Sequence, residues 1–395
     1  MSSAASAFDQ WIRSEFVDLN TALEELYFAQ DDRARVEGIG DDLKRDLLRK
    51  GRALIAPLVA EGNTERRFDS AFDVLGNLGI YLGALRRHEL TNPDRETESP
   101  FMDCSALGMH IAASIGVAPR FTSAHLGTHN RAVNGVQKSF TRLADERLFI
   151  DANLFGVLGY KSAGAALMRI PAIGVSAPAA ALLLREAKAA LEAVIRHNKT
   201  LYDELDADRF FYSVRPYYKP YRVGRTVYRG VNAGDFAEIN EIDLLLGLCR
   251  GNDPYYAQLL EEKILFMPPE DQRSLRRCLG MRPLLDEFLE LVEAHAGADW
   301  FQENARLFLE VCEAHGRAAA QHHNMLVRRF IERPAGELDA THLAQLTASG
   351  PPLDALVGAL QVLRDKRMAA PGAGTDTAHD DLARIRQALA RGGAS

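Results

Sequence analysis

Apolar side chains recur every three to four positions along most of the chain, in stretches rich in Ala, Leu, Glu and Arg. That is the pattern of helices with one buried face, and it predicts an almost entirely helical protein. Strand-like alternation is confined to short pieces such as Arg222 to Tyr228. Phe68 to Leu90 reads as one amphipathic helix carrying Gly76, Gly79 and Gly83, which cost helix propensity but let a neighbouring segment approach closely. The polar stretch Thr91 to Ser99, with Pro93 and Pro100 at its edges, predicts a boundary between a smaller amino-terminal helical domain, 1–99, and a larger helical domain, 100–368. The Ala-, Gly- and Pro-rich run Ala369 to Thr377 predicts a flexible linker to a short terminal helix, together 369–395.

The stretch Asp299 to Glu332 is strongly helical in pattern, and one of its faces reads Ala305, Phe308, Cys312, Gly316, Ala319, His323, Leu326 and Phe330. An imidazole therefore sits in an apolar row, beside a recess left by Gly316 and Ala319. Such a recess suits a flat cofactor, and haem is the one that takes a single histidine as its axial ligand. A hydrogen-bonded core histidine is the alternative from this helix alone. The neighbouring row, His315, Ala318, His322, Met325 and Arg329, is wetter, which makes His322 the weaker candidate.

Bulk properties narrow the field. The formal charge of −7 and pI near 5.9 argue against a nucleic-acid partner, which would need a basic excess or a concentrated basic face. Cys104, Cys249, Cys278 and Cys312 are scattered singly, with no zinc or disulfide spacing, and a reducing cytosol is the expected compartment. No secretion signal and no membrane span are expected, since the longest apolar run, Val175 to Leu184, is short and contains Pro178.

Phe210-Phe-Tyr-Ser-Val-Arg215 places three aromatic rings and a guanidinium within about a turn and a half of helix, stopped by Pro216. Arginine grips a carboxylate bidentately and aromatic faces pack on a planar ring, so the segment suits an aromatic amino acid, against the alternative of a surface arginine lying over core phenylalanines. The loop Gly230-Val-Asn-Ala-Gly-Asp-Phe has the composition of one that closes over a ligand. His125 and His129 stand at metal-pair spacing, but Gly127 and Pro119 weaken a helix there and no acidic or thiol third ligand lies close by, so a polar histidine near a pocket is the better reading. The commonest dinucleotide, phosphate, serine-hydrolase and zinc-protease patterns are absent.

These residues together resemble the haem-dependent tryptophan and indoleamine dioxygenase superfamily, and more closely its monodechloroaminopyrrolnitrin synthase branch. The resemblance to indoleamine dioxygenases lies in Asp208-Arg-Phe-Phe-Tyr-Ser-Val-Arg215, Val227-Tyr-Arg-Gly230, Ala233 to Gly247, Met267-Pro-Pro and His323 to Ile331. The synthase branch is matched by Leu78 to His88, by Pro119-Arg120 with His125 and Asn130, and by Arg215 to Gly224. Together they span roughly Phe68 to Pro334.

The resemblance implies an all-α, two-domain helical bundle with haem b in the larger domain and His323 as its axial ligand. It implies Arg215 on the substrate carboxylate, Phe210 and Phe211 against the ring, and Ala233 and Gly234 in the loop over the site. Gly316 and Ala319 would flank the haem, and His125 is the candidate distal polar group. Where indoleamine dioxygenases carry a distal serine and tyrosine this chain has Gly156 and Ser123, and the arginine before the axial histidine is Ala320. The last change leaves Asp243 without its expected partner, with Arg317 the available substitute.

The implied activity is haem-dependent oxidation or oxidative rearrangement of tryptophan or a chlorotryptophan-like substrate in secondary metabolism. Dioxygen or a peroxide would be the oxidant, with an external reductant and a reductase as supplier. Plain tryptophan dioxygenation to N-formylkynurenine and a non-catalytic haem sensor are the rivals; the altered distal residues speak against the first and Arg215 against the second. Subunit number is left open.

Overall fold

The computed structural model describes residues 2–62, 67–231, 234–335, 353–372 and 374–392. It is all-α apart from one small hairpin, β1 (Tyr221–Val223) paired antiparallel to β2 (Thr226–Tyr228), which turns at Gly224 with φ +58°. The longer helices are α1 (Ser3–Arg13), α2 (Glu15–Phe28), α3 (Asp41–Glu61), α4 (Phe68–Arg87), α5 (Met102–Ile115), α6 (Ala144–Leu167) and α7 (Pro178–Glu204). They continue with α8 (Ala237–Leu246), α9 (Pro254–Ile264), α10 (Pro269–Leu279), α11 (Leu284–His295), α12 (Asp299–Gln321), α13 (Leu353–Arg367) and α14 (His379–Gly392). None of the described helices is long and apolar enough to cross a membrane.

Two apolar cores organise these helices. The first gathers Phe8, Phe16, Phe72, Tyr81, Phe121, Phe140, Tyr217 and Phe330 around α4. The second gathers Ala187, Leu191, Ile242, Leu285, Phe288, Phe308 and Ile385, with α6, α7 and α12 packed side by side. They do not part at position 99: Cys104, Leu107, Ile111 and Tyr217 lie in the same core as Phe72 and Leu82. The polar stretch expected to divide domains is instead a local turn, in which Glu96 accepts from the Thr91 hydroxyl and the Asn92 amide.

The glycines of α4 do what their spacing predicts. A Cβ at Gly79 would stand 2.1 Å from the Phe121 backbone nitrogen, and one at Gly76 would stand 2.4 Å from the His125 ring. With α4 buried on nearly every side, the chain after α5 passes directly against its backbone.

The carboxy-terminal stretch is not a free tail. Lys366 donates to the Asp376 carbonyl, the Thr377 hydroxyl to the Ala370 carbonyl, and the His379 ring to the Ala369 carbonyl. α14 then buries Leu382, Ile385 and Ala388 in the second core. Small residues permit the tight path here, and side-chain bonds at either end fix it.

Gly79→Ala is expected to lower unfolding stability by about 1–3 kcal/mol, because backbone must move. Gly156→Ala, whose Cβ would meet nothing within 4 Å, should leave stability unchanged or raise it by up to about 1 kcal/mol through helix propensity. Urea unfolding of the two variants checks the contrast.

Candidate active site

A cavity of about 460 Å³ lies along the seam of the two cores, within the range of small-molecule sites. From the first core it takes Phe149, Leu201, Phe210, Val231, Leu326 and Phe330, and from the second Val157, Tyr160, Val194, Phe236, Ile239 and Leu363. α13 closes one wall with Ala359, Leu360, Leu363, Arg364 and Arg367.

The segment expected to bind a carboxylate is a π turn, Phe210–Val214, running into a 3-10 turn, Arg215–Tyr218, because Pro216 lacks the amide that would continue the ladder. Arg215 lines the cavity and is only 6% exposed. Its guanidinium sits 5.4 Å from the Phe211 ring centre and has no carboxylate in ion-pair reach among the described residues. Burial pushes it down to about 10. A desolvated, unpaired guanidinium facing a cavity is a prepared anion site. Phe210 joins it on the wall, its ring tilted against that of Phe149 with centroids 4.8 Å apart. Phe211 does not reach the cavity; it backs the arginine instead.

Ser123, Gly156, Gly234 and Ala319 line the cavity as expected, with the Ser123 hydroxyl donating to the Asp235 carbonyl at 3.2 Å. Gly156 leaves open space. Ala233 lies outside the described residues. His125 is a correction: the Thr122 amide donates to its Nδ1 at 2.8 Å, its Nε2–H donates to the Phe72 carbonyl at 3.0 Å, and its ring stacks on Phe72 at 3.8 Å. Both nitrogens are committed and the ring is off the cavity wall, where it caps the short turn Ser123–Leu126.

From His322 to Glu332 the helix continuing α12 widens into a π helix. Both His322 and His323 line the cavity; every member of the row through His323 is buried and His322 is exposed. His323 is buried, and its Nδ1 has no partner among the described residues. Burial and the nearby Arg364 hold it below the ordinary histidine value. His322 is an exposed residue of the cavity wall, and its charged neighbours include Arg367 and Lys263, which also line it. Its imidazole is pushed down to about 4, by burial first and then by Arg367.

Gly316 is a second correction. A Cβ there would stand 3.0 Å from the Arg367 carbonyl and the Met368 Cα, so the end of α13, rather than a cofactor, fills the recess. That docking explains a third. Asp243, fully buried on α8, is not left without a partner: Arg367 donates to it from Nε at 2.9 Å and from Nη2 at 2.7 Å. His315 Nε2 and the Tyr256 hydroxyl each donate to it at 2.7 Å. Arg317 faces outward, 3.8 Å from Glu192, and plays no part. Asp243 itself is not on the cavity wall. Sequence reading missed Arg364, Arg367, Lys263 and Tyr160 on the wall; the one available signal was Leu360, Leu363, Arg364 and Arg367 at helical spacing.

The family model of monodechloroaminopyrrolnitrin synthase PrnB matches residues 2–389, nearly the whole chain. The chain belongs to this family. PrnB chemistry is an oxidative rearrangement in secondary metabolism, and the cavity is the one place among the described residues where an unpaired guanidinium, two imidazoles and apolar walls meet. In this PrnB-family protein the wall carrying the imidazoles depends on Arg367, so Arg367→Ala should cost about 3–5 kcal/mol by stranding the buried Asp243 carboxylate. Arg367 and its partners hold that carboxyl well below its ordinary 3.8 against the opposing effect of burial. The wild-type contribution is therefore present in full above that pH and lost as the pH falls below it, so the gap between the two proteins narrows on acidification. Denaturant titrations at a series of pH values measure it.

Proposed function

We propose that this protein is a haem-dependent enzyme that oxidatively rearranges tryptophan or a chlorinated tryptophan-like amino acid. The observation that carries this reading is the unpaired, buried Arg215 facing the same cavity as the His322–His323 pair. The residues suit a flat macrocycle: apolar side chains line the walls, and His323 carries a buried ring nitrogen without a partner among the described residues. When bound, haem supplies an iron centre for chemistry with dioxygen.

The chain's own contribution is orientation. Arg215 takes the substrate carboxylate bidentately, and Phe210, backed by Phe149, packs the aromatic ring. Gly156 leaves room for a ring substituent such as chlorine, and Ser123 Oγ offers a polar contact at the edge of the space. Walls from both cores exclude water, and fixing the ring relative to the reacting centre governs which carbon is attacked.

The resemblance assigns the axial nitrogen to His323. The place of His322 on the cavity wall favours a second assignment, since an iron ligand must present a nitrogen to the cavity. His323→Ala is expected to abolish stoichiometric haem retention in a pyridine haemochrome assay while His322→Ala retains haem with a shifted spectrum. The reverse pattern would move the ligand to His322, and full retention by both variants would remove the pair.

Arg215→Ala should weaken tryptophan binding about tenfold or more and leave tryptamine, which lacks the carboxylate, nearly unaffected. Titrating the Soret band with the two ligands tests the orientation, and an equal loss for both would contradict it.

A further inference from the structure

Two of the cations on the cavity wall stand outside its ion pairs. Lys161 is paired with Glu238 and Asp271, Arg229 with Asp235, Arg364 with Asp365 and Arg367 with Asp243. Arg215 and Lys263 have no carboxylate in ion-pair reach among the described residues. One carboxylate, that of an amino acid on Arg215, leaves the other cation unanswered.

Lys263 sits near the end of α9, and among the described residues its Nζ has a single weak contact, the Gly234 carbonyl at 3.4 Å. Its charged neighbours are two ion pairs, Arg229 with Asp235 and Arg367 with Asp243, whose acids are already occupied. Burial and Arg367 push it down to about 8. A half-buried ammonium with no carboxylate in ion-pair reach among the described residues is under-compensated, and a ligand that brings a carboxylate supplies what is missing. Lys263 lines the same cavity as His322 and His323 and is among the charged neighbours of His322, so an anion at Lys263 shares that cavity with the imidazole pair. A carboxylate among the charged neighbours of an imidazole that faces a flat ligand belongs to a side arm of that ligand.

We propose that Lys263 seats a carboxylate arm of the porphyrin, making it a cofactor-anchoring residue distinct from Arg215. The inference rests on the haem reading above and deepens it. Lys263 thereby sets which edge of the macrocycle faces α9, leaving the Arg215 end of the cavity for substrate.

The test uses the full-length apoprotein and metal-free protoporphyrin IX, so that no iron–histidine bond contributes, alongside its dimethyl ester, in which both carboxylates are masked. Porphyrin fluorescence reports binding. Wild type should bind the free acid about tenfold or more tighter than the ester, as one charge-assisted contact provides. Lys263→Met should lose that preference by weakening the free acid alone, and Lys263→Arg should keep it. Circular dichroism matching the wild type shows that the variants are folded. Unchanged preference in Lys263→Met, or equal loss for both porphyrins, would overturn the assignment while leaving the cofactor reading intact. Failure of wild type to bind either porphyrin would instead bring down the cofactor reading, and this inference with it.

Discussion

A single buried carboxylate holds the wall of the cavity together. Asp243 is fully shielded from solvent and accepts from residues on three other helices: Tyr256 on α9, His315 on α12 and Arg367 at the end of α13. Removing an isolated carboxylate from water costs several kcal/mol, and only a complete set of donors offsets that. The arrangement is therefore all-or-nothing. With Arg367 in place α13 must lie across α12, its backbone pressed into the notch at Gly316, and Leu360, Leu363 and Arg364 then face the cavity.

Both groups that point to chemistry lie on or directly after π-helical backbone. Arg215 follows the π turn at Phe210–Val214, and the histidines open the π stretch His322–Glu332. A π turn adds a residue to the helical circuit and forgoes ideal hydrogen bonding, so it survives where packing on either side compensates, and it redirects side chains that an α-helix would point elsewhere. Phe330 and Phe210 pack edge to face at 5.8 Å, which ties one π segment to the other across the seam. The positions of the anion site and the imidazoles are thus coupled through an aromatic contact.

What could be read in the sequence was local. Helical class follows from apolar spacing, the close approach at Gly79 from its place in a buried helix, and Arg215 from a guanidinium beside aromatic residues with a proline to stop the turn. Errors arise where the deciding partner is remote. His125 looked like a polar group near a pocket, yet the Phe72 carbonyl that occupies it lies 53 positions away. Gly316 looked like a cofactor recess because nothing local says that Met368 fills it. Asp243 looked abandoned because its arginine is 124 positions downstream, on a helix whose own pattern gives no hint of its target. The row through His323 was legible as a buried face, whereas the change of helical pitch at His322 leaves no mark in a periodicity that assumes one pitch.

The end of α13 against Gly316 also imposes an order on the birth of the molecule. A ribosome delivers α8, α9 and α12 well before residue 367, and domains begin to fold as they emerge. Until Arg367 leaves the exit tunnel the Asp243 carboxylate has only His315 and Tyr256 to draw on, and the wall of the cavity is missing. The nascent chain thus passes through a stage in which the seam between the cores lacks one of its sides.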